Sequence, residues 1–379
     1  MPVPVVGRTS QFLLTYCIAL AGFAALAQAQ LPFAGVALAN PVSTGTNKSA
    51  PLINTVTLQV TALDAKGRPV TGLTCADFEI FDGGKAQRLV PCQASAPQPP
   101  STLIVWDLLN SIRDHRGYQA DLIVRALESL KPADGSVYLY LLTNRGDIYP
   151  VHPLPMPDQP EASGGAWIQQ IRPLLDHALQ EVTEFRPMDY QNEGIRAGTT
   201  FLRLSQFEDG LSRIPSPKTV VWITTGAPNL MACPYGCRDV SFPEGAETYL
   251  AGKCSTNCPL FGQGDCIDYA AFLRHFTEAM RNDNIGLFSV EETPIGKLAR
   301  ADHGSPKDTL QQLSQLTGGR VYERGDIAKA ITSSLSDAPA RYSLQFEAPA
   351  DGKYHKVRVV STRKGVRIEA PQGYFADQR

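Results

Sequence analysis

Ser101-Thr-Leu-Ile-Val-Trp106-Asp107-Leu-Leu-Asn110-Ser111 is an apolar run that ends on a carboxylate and then a polar turn. Such a run reads as a buried strand, and its last residue stands where an open α/β sheet binds: ligands lie outside the carboxyl ends of the strands. Asp107 is therefore the functional anchor of the chain, positioned to meet a metal or a partner.

From Ser101 to about Lys329, strand patterns alternate with helical ones. Leu122, Ile123, Ala126, Leu127 and Leu130 recur at helical spacing, and Val137 to Leu142 is a buried strand after the Asp134-Gly135 turn. Helices are expected over Trp167 to Leu179, Thr200 to Ile214, Tyr269 to Arg281 and Asp308 to Leu316, with strands at Thr219 to Gly226 and Ile285 to Val290. Strands alternating with helices imply right-handed crossovers and a mostly parallel, doubly wound α/β sheet.

The flanks are β. Thr55 to Ala62 alternates with period two, and Asp82-Gly83 marks a hairpin after Phe78-Glu-Ile-Phe81. The tail supplies Ala340 to Phe346, Tyr354 to Val360, Val366 to Glu369 and Gly373 to Phe375. Because β segments bracket the α/β unit, they are expected to pair into one discontinuous antiparallel sandwich. The resulting division is a signal peptide over 1–29, a tether over 30–52, a β-module over 53–97, the α/β domain over 101–335 with a cysteine-rich insertion at 229–268, and a second β-module over 338–379.

The Asp107 turn resembles the first metal motif of von Willebrand factor type A (VWFA) domains, Asp-x-Ser-x-Ser. Asp107 and Ser111 match, while Leu109 takes the place of the middle serine. A closer resemblance is to the VWFA-related family best known from acidobacteria, which carries an Asp-x-Leu-Asn-(Ser/Thr) version. Gly67-Arg-Pro-Val-Thr-Gly-Leu73, Asp77-Phe78-Glu-Ile-Phe81, Thr317-Gly318-Gly319 and the Gly373-Tyr-Phe375 ending also match that family's patterns. The resemblance covers most of the chain and excludes the cysteine-rich segment.

The resemblance implies a VWFA-like fold in which three loops meet above the sheet around Mg²⁺ or another divalent cation, held by hard oxygens. Asp107 and Ser111 belong to the first loop, with Asn110 offering a further oxygen, and Thr200 belongs to the second. Where the third loop of the parent motif reads Thr-Asp-Gly, this chain reads Thr224-Thr225-Gly226, so one carboxylate is missing and the expected metal site is weak. The favoured reading is that Asp107 and Thr200 only bond loop backbone, with weak or partner-assisted metal binding as the alternative. Asn110, Thr225 and Gly226 are the partner-binding candidates.

Residues 1 to 30 read as a secretory signal, with Arg8 before an apolar run from Phe12 to Ala27; an uncleaved anchor is the alternative. With that segment removed, no second long apolar run remains to span a membrane, and the protein is expected to be secreted or periplasmic. The balance of 35 basic and 37 acidic side chains leaves no electrostatic footprint for nucleic acid. One of the eight cysteines lies in the signal, and an exported protein meets oxidising conditions, so disulfides are the expected state of the rest. Cys75 and Cys92 flank the hairpin and should pair, whereas Cys233, Cys237, Cys254, Cys258 and Cys266 crowd into one segment whose connectivity the sequence does not assign. A disulfide-stapled insertion is favoured there over a zinc site, since no histidine lies in the segment.

Catalytic signals are sparse. No Gly-x-Ser-x-Gly elbow is present, His303 and His355 read as surface residues, Gly318-Gly319 reads as a helix cap and turn, and Trp106 and Trp222 read as core. The expected function is a non-enzymatic binding or adhesion module that holds a protein partner at the carboxyl edge of the sheet. The alternatives are a metal-dependent hydrolase built on the cysteine-rich segment and an envelope scaffold without a ligand.

Overall fold

A computed structural model describes residues 53–90, 99–111, 115–131, 135–155, 166–183, 193–214, 217–225, 269–292 and 306–376. The signal, the tether, Cys92, Gly226, the cysteine-rich insertion and His303 lie outside them.

The α/β layer is a six-stranded sheet. Its strands are β4 (Ser101–Asp107), β5 (Ser136–Leu142), β6 (Ile148–His152), β7 (Lys218–Thr224), β8 (Ile285–Glu291) and β9 (Arg320–Tyr322), in the spatial order β6-β5-β4-β7-β8-β9. All pairings are parallel except β5 with β6. That antiparallel edge is absent from the expectation above, because Pro150 interrupts the strand pattern, and an edge position is where proline is tolerated.

Among the described residues, six helices cover the sheet: α1 (Arg116–Glu128), α2 (Ile171–Thr183), α3 (Glu193–Ser212), α4 (Tyr269–Asn282), α5 (Pro306–Thr317) and α6 (Ile327–Ser336). Apolar residues of α1, α2 and α6 join one core with Ile104, Trp106, Val221 and Ile223. Those of α3, α4 and α5 join the other, with Leu103, Val105, Val220 and Trp222. Alternate residues of β4 and β7 thus feed opposite faces, and both strands are buried throughout. Helix α6 is a further addition to the expected elements, although Ile327, Ala330, Ile331, Ser334 and Leu335 carry its buried stripe.

The flanking strands form two antiparallel sheets. β1 (Ile53–Asp64) lies between β10 (Arg341–Pro349) and β12 (Val366–Glu369). β2 (Phe78–Asp82) lies between β3 (Lys85–Gln87) and β11 (Tyr354–Ser361), and β11 in turn pairs with β13 (Gly373–Phe375). Leu58, Val60, Ile80, Phe346 and Val359 draw both sheets into one core. His355 of β11 is not the surface residue that sequence suggests. Its Nδ1 lies 3.0 Å from the Asp82 carboxylate and its Nε2 lies 3.1 Å from Asp351, while the ring stacks on Tyr374. The Tyr374 hydroxyl also donates to Asp82, at 2.8 Å.

The two parts meet closely. Arg320 of β9 pairs with both Asp337 and Glu369, bridging the α/β layer to β12. Gly318 ends α5 at a φ of +73°, where a Cβ would meet the Gln59 carbonyl oxygen of β1 at 2.6 Å. The cap therefore needs glycine for both conformation and space.

At the amino ends of the strands, Glu208 of α3 shares a hydrogen bond with Asp283 beside Lys218. Burial raises the Glu208 carboxyl to about 8, and the hydrogen bond and negative charge of Asp283 add to the rise. The folded value lies above the ordinary 4.5, so folding favours the protonated acid. That contribution is complete at pH values below the ordinary one and is lost as pH climbs through about 8. Melting temperatures across this window should fall for the wild type relative to Glu208→Gln; parallel curves for the two proteins would contradict the assignment.

Candidate functional site

The strand crossovers place the site. From β4 the chain passes through α1 on one face to β5, whereas α4 and α5 lead into β8 and β9 on the other face. The loops that leave β4 and β7 therefore diverge, and the crevice between them is the topological switch point of the sheet. Asp107 ends β4 and Thr224 ends β7, one step beyond the Trp106–Ile223 register pair.

Asp107 is fully buried. It follows Leu103 and Val105 on the α3 face, where Trp222 and Thr224 of the neighbouring strand also point. Its Oδ2 accepts from Trp222 Nε1 at 3.2 Å, Thr224 Oγ1 at 3.1 Å and Asn110 Nδ2 at 2.8 Å. Its Oδ1 accepts from the Asn110 backbone N–H at 3.0 Å. Burial pushes the carboxyl pKa up, against the lowering effect of the Asn110, Thr224 and Trp222 hydrogen bonds.

The turn after Asp107 is tied down from several sides. Backbone N–H groups of Leu108 and Leu109 donate to the Leu142 carbonyl at 2.8 and 3.1 Å, fixing the turn to the end of β5. Arg116 Nη2 donates to the Leu108 carbonyl at 2.9 Å. Leu108 and Leu109 are both fully buried, one in each core. Leu109, which stands where the parent motif has a serine, is thus committed to packing. The Ser111 hydroxyl donates to the Asp107 carbonyl oxygen.

Asn110 joins three elements. Besides its bonds to Asp107, its Nδ2 donates to the Thr200 hydroxyl of α3 at 2.8 Å, and its carbonyl accepts from Thr225 Oγ1 at 3.0 Å. Its Oδ1 is buried without a partner. Asp107, Asn110, Ser111, Thr200 and Thr225 are therefore brought together, and Gly226 lies outside the described residues. Asn110 and Thr225 present little surface of their own, at 6% and 4% exposed. They form the floor of the crevice.

These residues do not fit a divalent cation. A hard cation requires several free oxygen lone pairs, yet Asp107 Oδ2 already accepts three hydrogen bonds. The Ser111 hydroxyl turns to backbone, and the third-loop position is a threonine rather than an aspartate. Among the described residues, no group of three His, Cys, Asp or Glu side chains is placed to hold a metal.

Sequence reading misses two residues of this rim. Glu292, just past β8, is 2% exposed; its N–H donates to the Thr224 carbonyl and its Oε1 accepts from the Gly325 N–H, both at 2.8 Å. Burial raises its pKa, as it does for Asp107. The β8 run closes on Glu291, so the signal that marks Asp107 falls one residue before Glu292. The second is Trp222, which is core and also a donor to the site.

Two large apolar side chains stand exposed among the described residues: Tyr118 at 49% and Leu202 at 54%. Tyr118 is in the first turn of α1, directly after the Asp107 turn, and Leu202 lies two residues after Thr200. No helix among the described residues is long and apolar enough to cross a membrane.

No protein-family model matches the sequence, and no curated protein matches it. Among solved structures, the chain is similar to the pilus adhesin SpaC of Lactobacillus rhamnosus GG in its open conformation, at 11% identity and a TM-score of 0.38, covering 83% of this chain and 48% of that one. It is also similar to manganese-loaded TRAP protein of Plasmodium vivax, at 11% identity and a TM-score of 0.32, covering 72% of this chain and 92% of that one. The N-terminal domain of TFIIH p34 gives 11% identity and a TM-score of 0.32, covering 62% of this chain and 96% of that one. Likenesses this distant identify no family and leave the site's own geometry as the guide to function.

Proposed function

We propose that this chain is an exported, non-catalytic binding module of VWFA-like architecture that holds a protein partner on the carboxyl rim of its six-stranded sheet. The observation that carries this reading is the placement of Tyr118 and Leu202. Tyr118 belongs to the helix that follows the Asp107 turn, and Leu202 to the helix whose Thr200 hydroxyl bonds Asn110, so both exposed side chains sit on the elements that frame the turn. An exposed tyrosine is of the residue types enriched at interface hot spots, and Leu202 adds apolar surface that a partner could cover.

A non-catalytic role is supported by how the polar groups are used. The Asp107 carboxylate is committed to Trp222, Thr224 and Asn110, and the Ser111 hydroxyl to a backbone carbonyl, so neither is available as base or nucleophile. The cysteine-rich segment begins a few residues after Thr225 and so departs from the same rim; its disulfides, the Cys75–Cys92 pair and export belong to this proposal as sequence-based elements.

Site-specific photo-crosslinking in the cells that make the protein tests it. A crosslinker at Tyr118 or Leu202 should yield the same discrete protein adduct, and one at Lys131 or Arg213, away from the rim, should yield none. Adducts independent of position, or only from Lys131 and Arg213, would contradict a rim-centred interface.

A further inference from the structure

We infer that the Asn110 side-chain amide is a built-in replacement for a bridging cation, so that the rim is assembled without metal and recognition there is cation-independent. The bridge itself stands on geometry alone; its consequence for recognition rests on the proposed function above.

A cation at such a switch point would join loops by bonding oxygens of β4 and α3. Here one Nδ2 group makes both connections, 2.8 Å from Asp107 Oδ2 and 2.8 Å from Thr200 Oγ1. An amide nitrogen carries two hydrogens, so it satisfies two acceptors at once, and its partial positive charge faces the carboxylate. The orientation of the amide is fixed by chemistry. Flipped, its carbonyl oxygen would confront the Asp107 carboxylate and leave that acceptor pair uncompensated in a buried place. The orphaned Oδ1 is the cost of this arrangement, since only the donating end finds partners.

The other residues conform to the same assignment. Trp222 and Thr224 supply the remaining donors to Asp107, which a metal ligand would not need. Thr225, at the position of the missing aspartate, donates its hydroxyl to the Asn110 carbonyl and so fastens the bridging residue from the third loop. Three loops that a cation would gather are gathered by Asn110.

Asn110→Asp tests the assignment with an almost isosteric change. It replaces the donor by an acceptor, placing a second carboxylate against Asp107 in a buried position, where the pair must share a proton or take up a compensating cation. In chelator, the variant should melt several degrees below the wild type, and Mg²⁺, Mn²⁺ or Ca²⁺ at millimolar concentration should restore much of the loss. The wild type should show no melting shift with these cations and no saturable Mn²⁺ heat in calorimetry. Saturable Mn²⁺ binding by the wild type would overturn the inference, and this reading stands even if the variant fails to fold. A variant that melts like the wild type in chelator at pH 8 would overturn it equally, since removing the amide donor would then cost nothing. Crosslinking from Tyr118 repeated in chelator separates the two proposals. Adducts lost only in chelator would refute cation independence and leave the interface, whereas adducts absent throughout would refute the interface and leave the bridge.

Discussion

Gly319→Ala is expected to yield no stably folded protein. Gly319 precedes β9 and packs against β8, and a Cβ there would fall on the Leu287 carbonyl oxygen and 2.6 Å from its carbonyl carbon. These are backbone atoms of a strand paired on both sides, so no side-chain rotation relieves the overlap. Relief would require β9 to separate from β8, which would also displace Arg320 from Asp337 and Glu369. The expected loss exceeds about 4 kcal/mol, the range reserved for gross steric or network failures. Soluble yield and melting temperature report it. Gly117→Ala is the control, because a Cβ at that helical position meets nothing within 4 Å. It should hold or raise stability by about 0.5 kcal/mol. Equal melting temperatures for the two variants would show that the close approach is wrong.

Asp107→Ala should be the most damaging change at the rim. It removes the acceptor for the Trp222 indole, the Thr224 hydroxyl and both the backbone and side-chain N–H groups of Asn110, all in a site from which water is excluded. Each stranded donor costs about 1–3 kcal/mol, and because the groups relax together the total is expected near 4 kcal/mol, or about 10 °C in melting temperature. Addition of divalent cation should change neither the wild type nor the variant. A variant as stable as the wild type but deficient only in cation binding would mean that Asp107 is a ligand rather than a structural acceptor.

Much of the fold was legible because its signals are local. Asp107 was located by a simple fact, an apolar run that stops at a carboxylate, and the helix and strand order from Ser101 onward followed from periodicity. The way the site closes was not legible. Both faces of β4 are buried, so alternation cannot tell which face Asp107 takes. Only the pairing with β7 shows that Trp222 and Thr224 share that face. Asn110 reads equally well as an oxygen ligand or as an amide donor, and the contact with Thr200 that decides between them spans 90 residues of chain. His355 misled for a related reason: a histidine in a strand of mixed polarity looks exposed until Asp82 and Asp351 are brought to its two nitrogens by β2 and by the β10–β11 turn. Glu292 stands one residue past the acid that closes the β8 run, Glu291, so the rule that marks Asp107 stops just short of it.

The most direct test of the central claim is anomalous diffraction from crystals grown with Mn²⁺. The account predicts no manganese peak between Asp107 and Thr200, with the Asn110 amide donating to both and the indole of Trp222 on the Asp107 carboxylate. A manganese ion bonded to Asp107, with Asn110 turned aside or offering its oxygen, would contradict it.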